Sequence, residues 1–220
     1  MLLYKKNIME RTAFMKILLL GMTGRTGNEI AKLALQDKHQ VTALVRTPEK
    51  ITINDENLSI IKGDVTVKED VELAMKNADV VISALNTDGA DTLTKSMPLI
   101  IDAMNAEGIK RIITIGTAGI LQSRVEPDVL RYQSSESKRK LTRAAEEHHK
   151  TYLLLEGSNL DWTVVCPTYL PDGEAVGDCR EERDFLPENG AKITTGDTAL
   201  FVYKQLESDK YIKSRVGIAY

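Results

Sequence analysis

The stretch Met15-Lys-Ile-Leu-Leu-Leu-Gly21-Met-Thr-Gly24-Arg-Thr-Gly27 decides the fold. An apolar strand leads directly into three glycines spaced three residues apart, and then into an amphipathic helix predicted over residues 27–37. We expect Gly21 to turn the chain, Gly24 to let backbone N–H groups approach an anion, and Gly27 to let the helix pack closely. The pattern predicts a turn that binds a diphosphate at a helix N-terminus. The alternative is an ordinary glycine-capped turn.

Strands and helices alternate along the rest of the chain. Apolar strands are predicted at residues 40–45, 58–61, 79–85, 111–115 and 160–165, and helices between them at residues 66–76, 93–107 and 138–156. This alternation predicts an α/β fold: a Rossmann-type, doubly wound parallel sheet in three α/β/α layers, formed by one domain. Ligands of such folds bind at the carboxyl ends of the strands.

Several local signals place the element ends. Thr66 and Glu69 have the spacing of a capping box that opens the second helix, and Gly108 ends the third. Leu141 falls on the inner stripe predicted for the long helix. The last 50 or so residues are predicted to form a small segment on the substrate side. Its signals are a turn at Pro171-Asp172-Gly173, a hairpin turn at Glu188-Asn189-Gly190, a helix capped by Asp197, and a strand at residues 215–219.

Composition excludes several classes of protein. The 220 residues carry a net charge of −3 without a block of like charge, which argues against a nucleic-acid partner. No apolar run reaches the roughly 18 residues that cross a bilayer, so no membrane partner is expected. The two cysteines do not have metal or disulfide spacing, which favours the cytoplasm. His148 and His149 are adjacent and cannot form a helical metal pair, so we predict no metal site. Residues 1–14 are predicted to be a poorly ordered extension.

The residues that follow the second strand indicate which nicotinamide dinucleotide is bound. An acidic residue at this position would bind a free ribose 2′-hydroxyl, but this chain has Arg46 there, with Lys50 in the following loop. A guanidinium can bind a 2′-phosphate through two hydrogen bonds and stack on adenine, so the sequence favours NADP over NAD. The alternative is a solvated arginine, and Glu49 is placed to pair with either cation.

The next two strand ends supply further candidate contacts. Asp64 and Val65 are placed to meet the adenine ring, although Asp64 is equally suited to cap the turn before Thr66. Leu85 and Asn86 end the fourth strand, close to the expected pyrophosphate and nicotinamide ribose. Their size and neutrality would leave room for a cofactor, but would also suit plain packing.

These motifs together resemble a known family. Gly21-Met-Thr-Gly24-Arg-Thr-Gly27, Leu44-Val45-Arg46, Gly63-Asp64-Val65, the strand at residues 78–83, residues 158–165 with Pro167, and Ile193-Thr-Thr-Gly-Asp197 carry the resemblance. They resemble the atypical short-chain dehydrogenases with an NAD(P)H-binding, NmrA-like domain, and among them the flavin reductase and biliverdin-IXβ reductase group. The resemblance makes residues 15–220 an NAD(P)-binding Rossmann domain.

The resemblance also assigns site residues. It places the hydroxyl of Thr117 near the nicotinamide, where better-known members have serine, and puts Tyr169 where they have histidine. Thr117 and Tyr169 are therefore the candidate catalytic residues. The implied cofactor contacts are Gly21, Thr23, Gly24, Arg25, Thr26, Gly27, Arg46, Lys50, Asp64, Val65, Leu85 and Asn86.

The dyad that short-chain dehydrogenases use for proton transfer is missing. Their Tyr-x-x-x-Lys lowers the tyrosine pKa, but Tyr132 is followed at that spacing by Glu136, which would raise the tyrosine pKa. We therefore predict NADPH-dependent hydride transfer to a small conjugated acceptor, flavin-like or quinone-like, by a monomer or small homo-oligomer. The alternatives are a non-catalytic, NAD(P)-sensing NmrA-like regulator and a relative of the sugar-nucleotide epimerases or dehydratases. The chain after the sixth strand leaves little room for the substrate lobe of the latter.

Overall fold

A computed structural model describes residues 14–87, 89–137 and 141–220. Eight strands of the described chain form one sheet in the order β3-β2-β1-β4-β5-β6-β8-β7. All neighbours pair in parallel except β7 and β8. The strands are β1 Lys16–Leu20, β2 Gln40–Val45, β3 Leu58–Lys62, β4 Val80–Ser83, β5 Arg111–Ile115, β6 Asp161–Pro167, β7 Arg180–Arg183 and β8 Ser214–Ala219.

Five α-helices of the described residues cover the two faces of this sheet. They are α1 Arg25–Gln36, α2 Lys68–Met75, α3 Thr92–Glu107, α4 Arg143–Glu156 and α5 Thr195–Lys204. Alternate residues of β1 point to opposite faces. Ile17 and Leu19 pack with the apolar residues of α1 and α5, whereas Leu18 and Leu20 pack with those of α2, α3 and α4. The predicted three-layer, doubly wound Rossmann fold is confirmed.

The strand order places a crevice beside β1. From β1 the chain moves outward to β2 and β3, and from β4 it moves the opposite way to β5 and β6. Leu20 and Ser83 are register partners at the ends of these two central strands, and the Ala84 N–H donates to the Leu20 carbonyl at 2.8 Å. Loops that leave β1 and β4 therefore diverge at one point of the carboxyl edge, which is where doubly wound folds bind ligands.

Two helix starts differ from those predicted. Thr66 does not cap α2, whose N-cap is Val67, because the Thr66 hydroxyl donates to Asp64 Oδ1 at 2.8 Å. The cap of α5 is Thr194, whose Oγ1 accepts the Asp197 N–H at 3.1 Å. Asp197 is thus the third helical residue, and its carboxylate is directed to a neighbouring loop.

Two further local predictions are wrong. The long helix was predicted to start at Lys138, which lies outside the described residues. In the structure α4 begins at Arg143, so Leu141 precedes the helix. Leu141 is 88% exposed instead of lying on an inner stripe. The turn at Glu188–Gly190 does not join a hairpin, because β7 pairs with β8, more than twenty residues along the chain. Asn189 nevertheless has a φ of 58°, the left-handed conformation that a turn residue of this kind adopts.

Candidate functional site

The turn between β1 and α1 is shaped by its backbone. Gly21 has a φ of +84°, and a Cβ at this position would lie 2.5 Å from the Ala84 carbonyl oxygen. The Gly24 N–H donates to the Gly21 carbonyl at 3.0 Å and closes the turn. At Gly27, a Cβ would lie 2.2 Å from the same carbonyl oxygen. The atom nearest to Gly27 therefore belongs to the glycine turn and not to a strand of the sheet. No larger residue fits at Gly27 unless the backbone moves.

This turn presents free amides to any ligand above it. The first intrahelical bond of α1 runs from the Asn28 N–H to the Gly24 carbonyl at 2.9 Å, so the amides of residues 25–27 have no intrahelical acceptor. Gly24, the N-cap, has no side chain that could satisfy them. The helix dipole adds positive potential at the same place. These amides, with the crowded glycines, fit a pyrophosphate group.

Arg46 and Lys50 lie at the end of β2 and are both exposed. Lys50 ends a short 3-10 helix, Pro48–Lys50, in the loop that follows β2. The Arg46 charge is near enough to the Asp64 carboxylate to contribute to its lowered pKa. The structure therefore places two exposed cations in the segment that follows β2, and their contact with an adenosine 2′-phosphate remains a prediction.

Asp64 follows β3 and caps a turn, as one of its two sequence interpretations required. Its Oδ1 accepts the Thr66 N–H at 2.9 Å and the Thr66 hydroxyl at 2.8 Å. The bond from the Thr66 N–H is the largest cause that lowers the pKa of Asp64. Val65 is buried and packs in the core. An adenine contact from Asp64 remains a prediction.

The end of β4 brings Leu85 and Asn86 beside the glycine turn. Gly21 approaches the backbone of Ala84 and Leu85, which fixes their position relative to the turn. The Asn86 Oδ1 accepts the Thr87 N–H at 2.8 Å, and Asn86 itself is exposed. Thr23, Gly24 and Arg25 are exposed, whereas Thr26 and Gly27 are buried in the first turn of α1. The structure thus brings the predicted cofactor residues of β1 and β4 together at one crevice.

The predicted catalytic residues follow β5 and β6, which pair directly. The Thr117 Oγ1 accepts the Gly119 N–H at 3.4 Å and caps a short 3-10 helix, Ala118–Ile120. Tyr169 is 61% exposed, although its backbone is fixed, because its carbonyl accepts the Ile193 N–H at 2.9 Å. Cys166 lies between these two residues in the sequence and is fully buried. This burial raises the pKa of its thiol to about 12. The thiol is therefore inert at neutral pH.

Arg25 connects the glycine turn to the loop after β6. Its Nη1 donates to the Asp172 Oδ1 at 2.8 Å and to the Leu170 carbonyl at 3.3 Å. Both charged side chains are more than half exposed. This bond between residues 147 apart spans the crevice from β1 to β6. Sequence analysis did not predict it, because nothing local relates the two positions.

Asp197 fixes the same loop from the other side. Its Oδ1 accepts the Gly177 N–H at 2.7 Å, and its Oδ2 accepts the Val176 N–H at 3.1 Å and the Tyr220 hydroxyl. Burial acts to raise the pKa of Asp197, but these bonds outweigh it and lower the pKa. The carboxylate therefore stays ionised and holds the loop of residues 171–177. The motif Ile193-Thr-Thr-Gly-Asp197 was the only sequence signal for this role.

Tyr132 and Glu136 do not form an acid–base pair. The Tyr132 hydroxyl lies 3.1 Å from His149 Nδ1, while Glu136 binds Arg131 at 2.9 Å. The pKa of Tyr132 is raised, as predicted, but by burial first and by the charge of Glu146 second. The prediction that Glu136 raises it was wrong, because Arg131 neutralises that carboxylate. A lysine that could lower the tyrosine pKa is not among its contacts in the described chain.

The remaining exclusions concern metals and membranes. Among the described residues, no three His, Cys, Asp or Glu side chains are arranged to bind a metal ion. Over the same residues, none of the helices has both the length and the apolar character to cross a bilayer. The predicted extension 1–14 lies outside the description apart from Phe14, which is exposed.

Comparison with known proteins identifies the family. A family model described as NAD(P)H-binding matches residues 21–209. The uncharacterized protein YwnB of Bacillus subtilis is 26% identical over 214 residues, which cover 93% of this chain and 98% of YwnB. The structure of a putative epimerase from Bacteroides thetaiotaomicron superposes with a TM-score of 0.82 at 30% identity, over 94% of this chain and 97% of that one.

A second solved structure agrees in fold. It is that of a putative NADH-flavin reductase from Streptococcus pneumoniae, with a TM-score of 0.78 and 24% identity over 93% of this chain and 99% of that one. The family match includes the glycine turn, the ends of β2 to β6 and Asp197, which holds the loop of residues 171–177. The chain therefore belongs to the NAD(P)H-binding family, whose model matches most of its length.

Proposed function

We propose that this protein is an NADPH-dependent reductase that delivers hydride to a small conjugated acceptor, flavin-like or quinone-like. The observation that carries the proposal is the pairing of a backbone cradle for a dinucleotide with an exposed aromatic ring, Tyr169, whose backbone is fixed at the neighbouring strand end. The cradle supports the cofactor. The exposed ring supports a planar acceptor, because aromatic rings stack favourably on one another.

The preference for NADPH rests on Arg46 and Lys50. Both are exposed at the end of β2, where the adenosine ribose binds in Rossmann folds. A 2′-phosphate would gain charge-assisted hydrogen bonds there that a 2′-hydroxyl cannot form. The amides of residues 25–27 bind the pyrophosphate of either dinucleotide, so they contribute affinity without contributing to this choice.

The reaction needs little acid–base chemistry from the protein. Bound NADPH would supply hydride, that is, two electrons and a proton, and the acceptor ring would take a second proton from water, so the products would be oxidised NADP and the two-electron-reduced acceptor. Thr117 retains its hydroxyl proton for donation, because its Oγ1 acts as an acceptor toward Gly119. Thr117 and Tyr169 orient the acceptor, and the chain supplies proximity rather than a tyrosine–lysine relay.

An epimerase is the second candidate, since the Bacteroides thetaiotaomicron relative carries that name. The fold argues against an epimerase, because residues 168–220 form strands β7 and β8 of the sheet and helix α5. They do not form a separate lobe over the crevice for a sugar nucleotide. The Tyr132 hydroxyl is also paired with His149 instead of with a lysine.

The test is an assay of NADPH oxidation at 340 nm with FMN, riboflavin and quinones as acceptors. The proposal predicts turnover with at least one of them, and faster turnover with NADPH than with NADH. Absence of turnover across a broad acceptor panel contradicts it. Tight NADP binding without turnover, together with capture of a specific partner, favours the NmrA-like sensor instead.

Location and assembly remain predictions. Cys166 and Cys179 are both free thiols, which agrees with the cytoplasmic location proposed here. A monomer or small homo-oligomer is proposed on the basis of the single domain.

A further inference from the structure

A lysine lies beside Tyr169 at the carboxyl edge of the sheet. Tyr169 and Lys192 are partners in an isolated parallel β-bridge, and the Tyr169 carbonyl accepts the N–H of the next residue, Ile193, at 2.9 Å. Directly opposite residues of neighbouring strands point to the same side, and such strands lie about 4.8 Å apart. Both side chains are exposed. The fold therefore presents a phenol ring and an ammonium group next to each other.

The backbone of Lys192 is held from both sides. On the side away from Tyr169, the Lys192 carbonyl accepts the Tyr220 N–H at 2.9 Å, just after the end of β8. The residue that follows it, Ile193, is fully buried in the core. The segment therefore cannot shift without losing these bonds, so the Lys192 side chain extends from a fixed point of the edge.

The charge of Lys192 is not used by the described parts of the chain. Its ammonium group forms neither an ion pair nor a hydrogen bond with the described residues, and the Tyr169 hydroxyl forms no hydrogen bond with them. Two carboxylates near this edge already have partners. Asp172 binds Arg25 at 2.8 Å, and Asp197 accepts two N–H groups of the loop after β6. The ammonium group is therefore available to a ligand.

The segment that carries Tyr169 is joined to the glycine turn. Arg25, in the first turn of α1, donates to the Leu170 carbonyl at 3.3 Å, and Leu170 directly follows Tyr169. The chain after β6 and the cofactor crevice are thus neighbours. A ligand that extends from the crevice to the Tyr169 ring is within reach of Lys192, because a lysine carries its charge on a flexible four-carbon stem.

Hydride transfer to a conjugated carbonyl compound creates a negative charge that the substrate does not have. A quinone that receives hydride, that is, two electrons and a proton, becomes a hydroquinone anion with the charge on one oxygen. A proton from water then gives the hydroquinone, and the buffer neutralises the hydroxide. A cation close to that oxygen stabilises the charge as it develops, so it lowers the barrier more than it strengthens substrate binding.

We propose that Lys192 is a catalytic residue of the reductase, and that its ammonium group donates a hydrogen bond to the acceptor oxygen that becomes negative while the acceptor stacks on Tyr169. The bond strengthens as the hydride arrives, and Lys192 keeps its proton throughout. This inference rests on the proposed reductase function. It adds a residue that the sequence motifs did not indicate, and it specifies the acceptor as a ring with a conjugated carbonyl group.

Binding of two matched quinones tests the contact without turnover. Menadione is neutral, whereas its hydroxy derivative phthiocol carries an oxyanion at neutral pH. Each is titrated by calorimetry into protein loaded with oxidised NADP. We expect Lys192→Gln to weaken phthiocol binding about three- to tenfold, as for one charge-assisted contact at an exposed site, and to leave menadione binding within about twofold. Lys192→Arg, which keeps the charge, should bind both quinones like wild type.

Steady-state turnover tests the catalytic role. With NADPH and menadione, Lys192→Gln should lower kcat about tenfold and leave KM within about twofold, because the bond forms fully only in the transition state. Lys192→Arg should retain most of the wild-type kcat. The matched control is Lys204→Gln, an exposed lysine in the last turn of α5, which should change neither value. Thermal melts verify that each variant is folded.

The outcomes separate this inference from the reductase proposal. If wild type reduces menadione and Lys192→Gln has the same kcat, the inference is overturned and the reductase proposal stands. An unchanged phthiocol affinity in Lys192→Gln also overturns the inference, as does a Lys192→Arg variant that behaves like Lys192→Gln. If phthiocol binding responds as expected but wild type reduces no acceptor, the ligand contact of Lys192 stands and the reductase proposal fails. If wild type binds neither quinone, the inference fails, and reduction of other acceptors would still support the reductase.

Discussion

The two halves of the sheet hold their loops by different means. In the cofactor half, β1 to β4, the turn is shaped by backbone alone. Gly21 and Gly27 leave no room for a Cβ, and the amides of residues 25–27 precede the first intrahelical bond of α1. In the half that we propose binds the acceptor, β5 to β8, called the acceptor half below, the loop after β6 is held by side chains from distant parts of the chain. Asp172 binds Arg25, and Asp197 binds the amides of the same loop.

This difference separates two kinds of specificity. A backbone cradle recognises a group common to all dinucleotides, and here it leaves no room for a side chain at Gly21 or Gly27. Side-chain bonds can be replaced one at a time, so relatives that share the cradle can differ in acceptor. The four predictions below test this contrast, from the largest expected effect to the smallest.

Substitution in the cradle should have the largest effect. Gly27→Ala places a Cβ 2.2 Å from the Gly21 carbonyl oxygen, so the turn must open. We expect a loss of more than about 3 kcal/mol in the free energy of unfolding, measured by urea denaturation, and loss of NADPH binding. The matched control is Gly157→Ala at the end of α4, where the nearest atom would lie at 3.5 Å and φ is −75°. Equal stability of the two variants would contradict the backbone account.

Acid should destabilise the acceptor half through α4. Burial lowers the pKa of His148 to about 4, from an ordinary value of 6.5. The unfolded chain therefore binds more protons between these pH values, so this contribution is complete above pH 6.5 and is lost as the pH falls toward 4. We expect about 2 kcal/mol lower stability at pH 5 than at pH 7.5 from this group.

The measurement is urea denaturation of wild type and His148→Gln at both pH values. The variant should lose less stability on acidification than wild type. His39, which is fully buried and also has a lowered pKa because of burial, remains in both proteins and adds the same slope to each. An identical pH dependence in the two proteins would show that the pKa of His148 is the same in the folded and the unfolded protein, which would contradict this prediction.

The choice between the two dinucleotides should depend strongly on Arg46, one of the two cations that follow β2. Arg46→Ala removes the guanidinium at the end of β2, and we expect it to weaken NADPH binding by about 1.5 to 3 kcal/mol while NADH binding changes much less. Calorimetric titration with both nucleotides measures the difference. A similar loss for both would mean that Arg46 supports the turn rather than the 2′-phosphate.

The Arg25–Asp172 bond should have the smallest effect. Both side chains are exposed, at 57% and 75%, so water screens the pair and its contribution is below about 1 kcal/mol. Asp172→Asn frees Arg25 for a cofactor phosphate, and we expect NADPH affinity to rise by up to about threefold. Glu29→Gln, an exposed acid on α1 paired with Lys32, is the matched control. Weaker NADPH binding in Asp172→Asn would show that the bond helps to form the site.

The sequence predicted the cofactor half better than the acceptor half, for a physical reason. Strand periodicity and glycine spacing are local properties, and they predicted the parallel, doubly wound arrangement that β1 to β6 adopt. The loop and strand partners of Asp197 are not local, because Gly177 and Tyr220 reach Asp197 only through folding. The position of Lys192 beside Tyr169 was missed for the same reason, since the two residues are distant in the sequence.

Short motifs also misled where two side chains compete for one role. Thr66 and Glu69 had capping-box spacing, but Asp64 takes the Thr66 hydroxyl and the box does not form. Glu136 was expected to act on Tyr132, but Arg131 neutralises it. In both cases a stronger partner nearby in the chain took the side chain that the motif required. Spacing rules do not rank such competing partners.

The central claim is that the amides at the start of α1 bind the cofactor pyrophosphate. Proton–nitrogen NMR correlation spectra of labelled protein, recorded during a titration with NADPH, test it directly. We predict that the amide resonances of Arg25, Thr26 and Gly27 move farthest downfield among those of α1, and that Gly157, at the far end of α4, does not move. Saturable NADPH binding that leaves these three resonances in place, or the absence of any binding, would contradict the account.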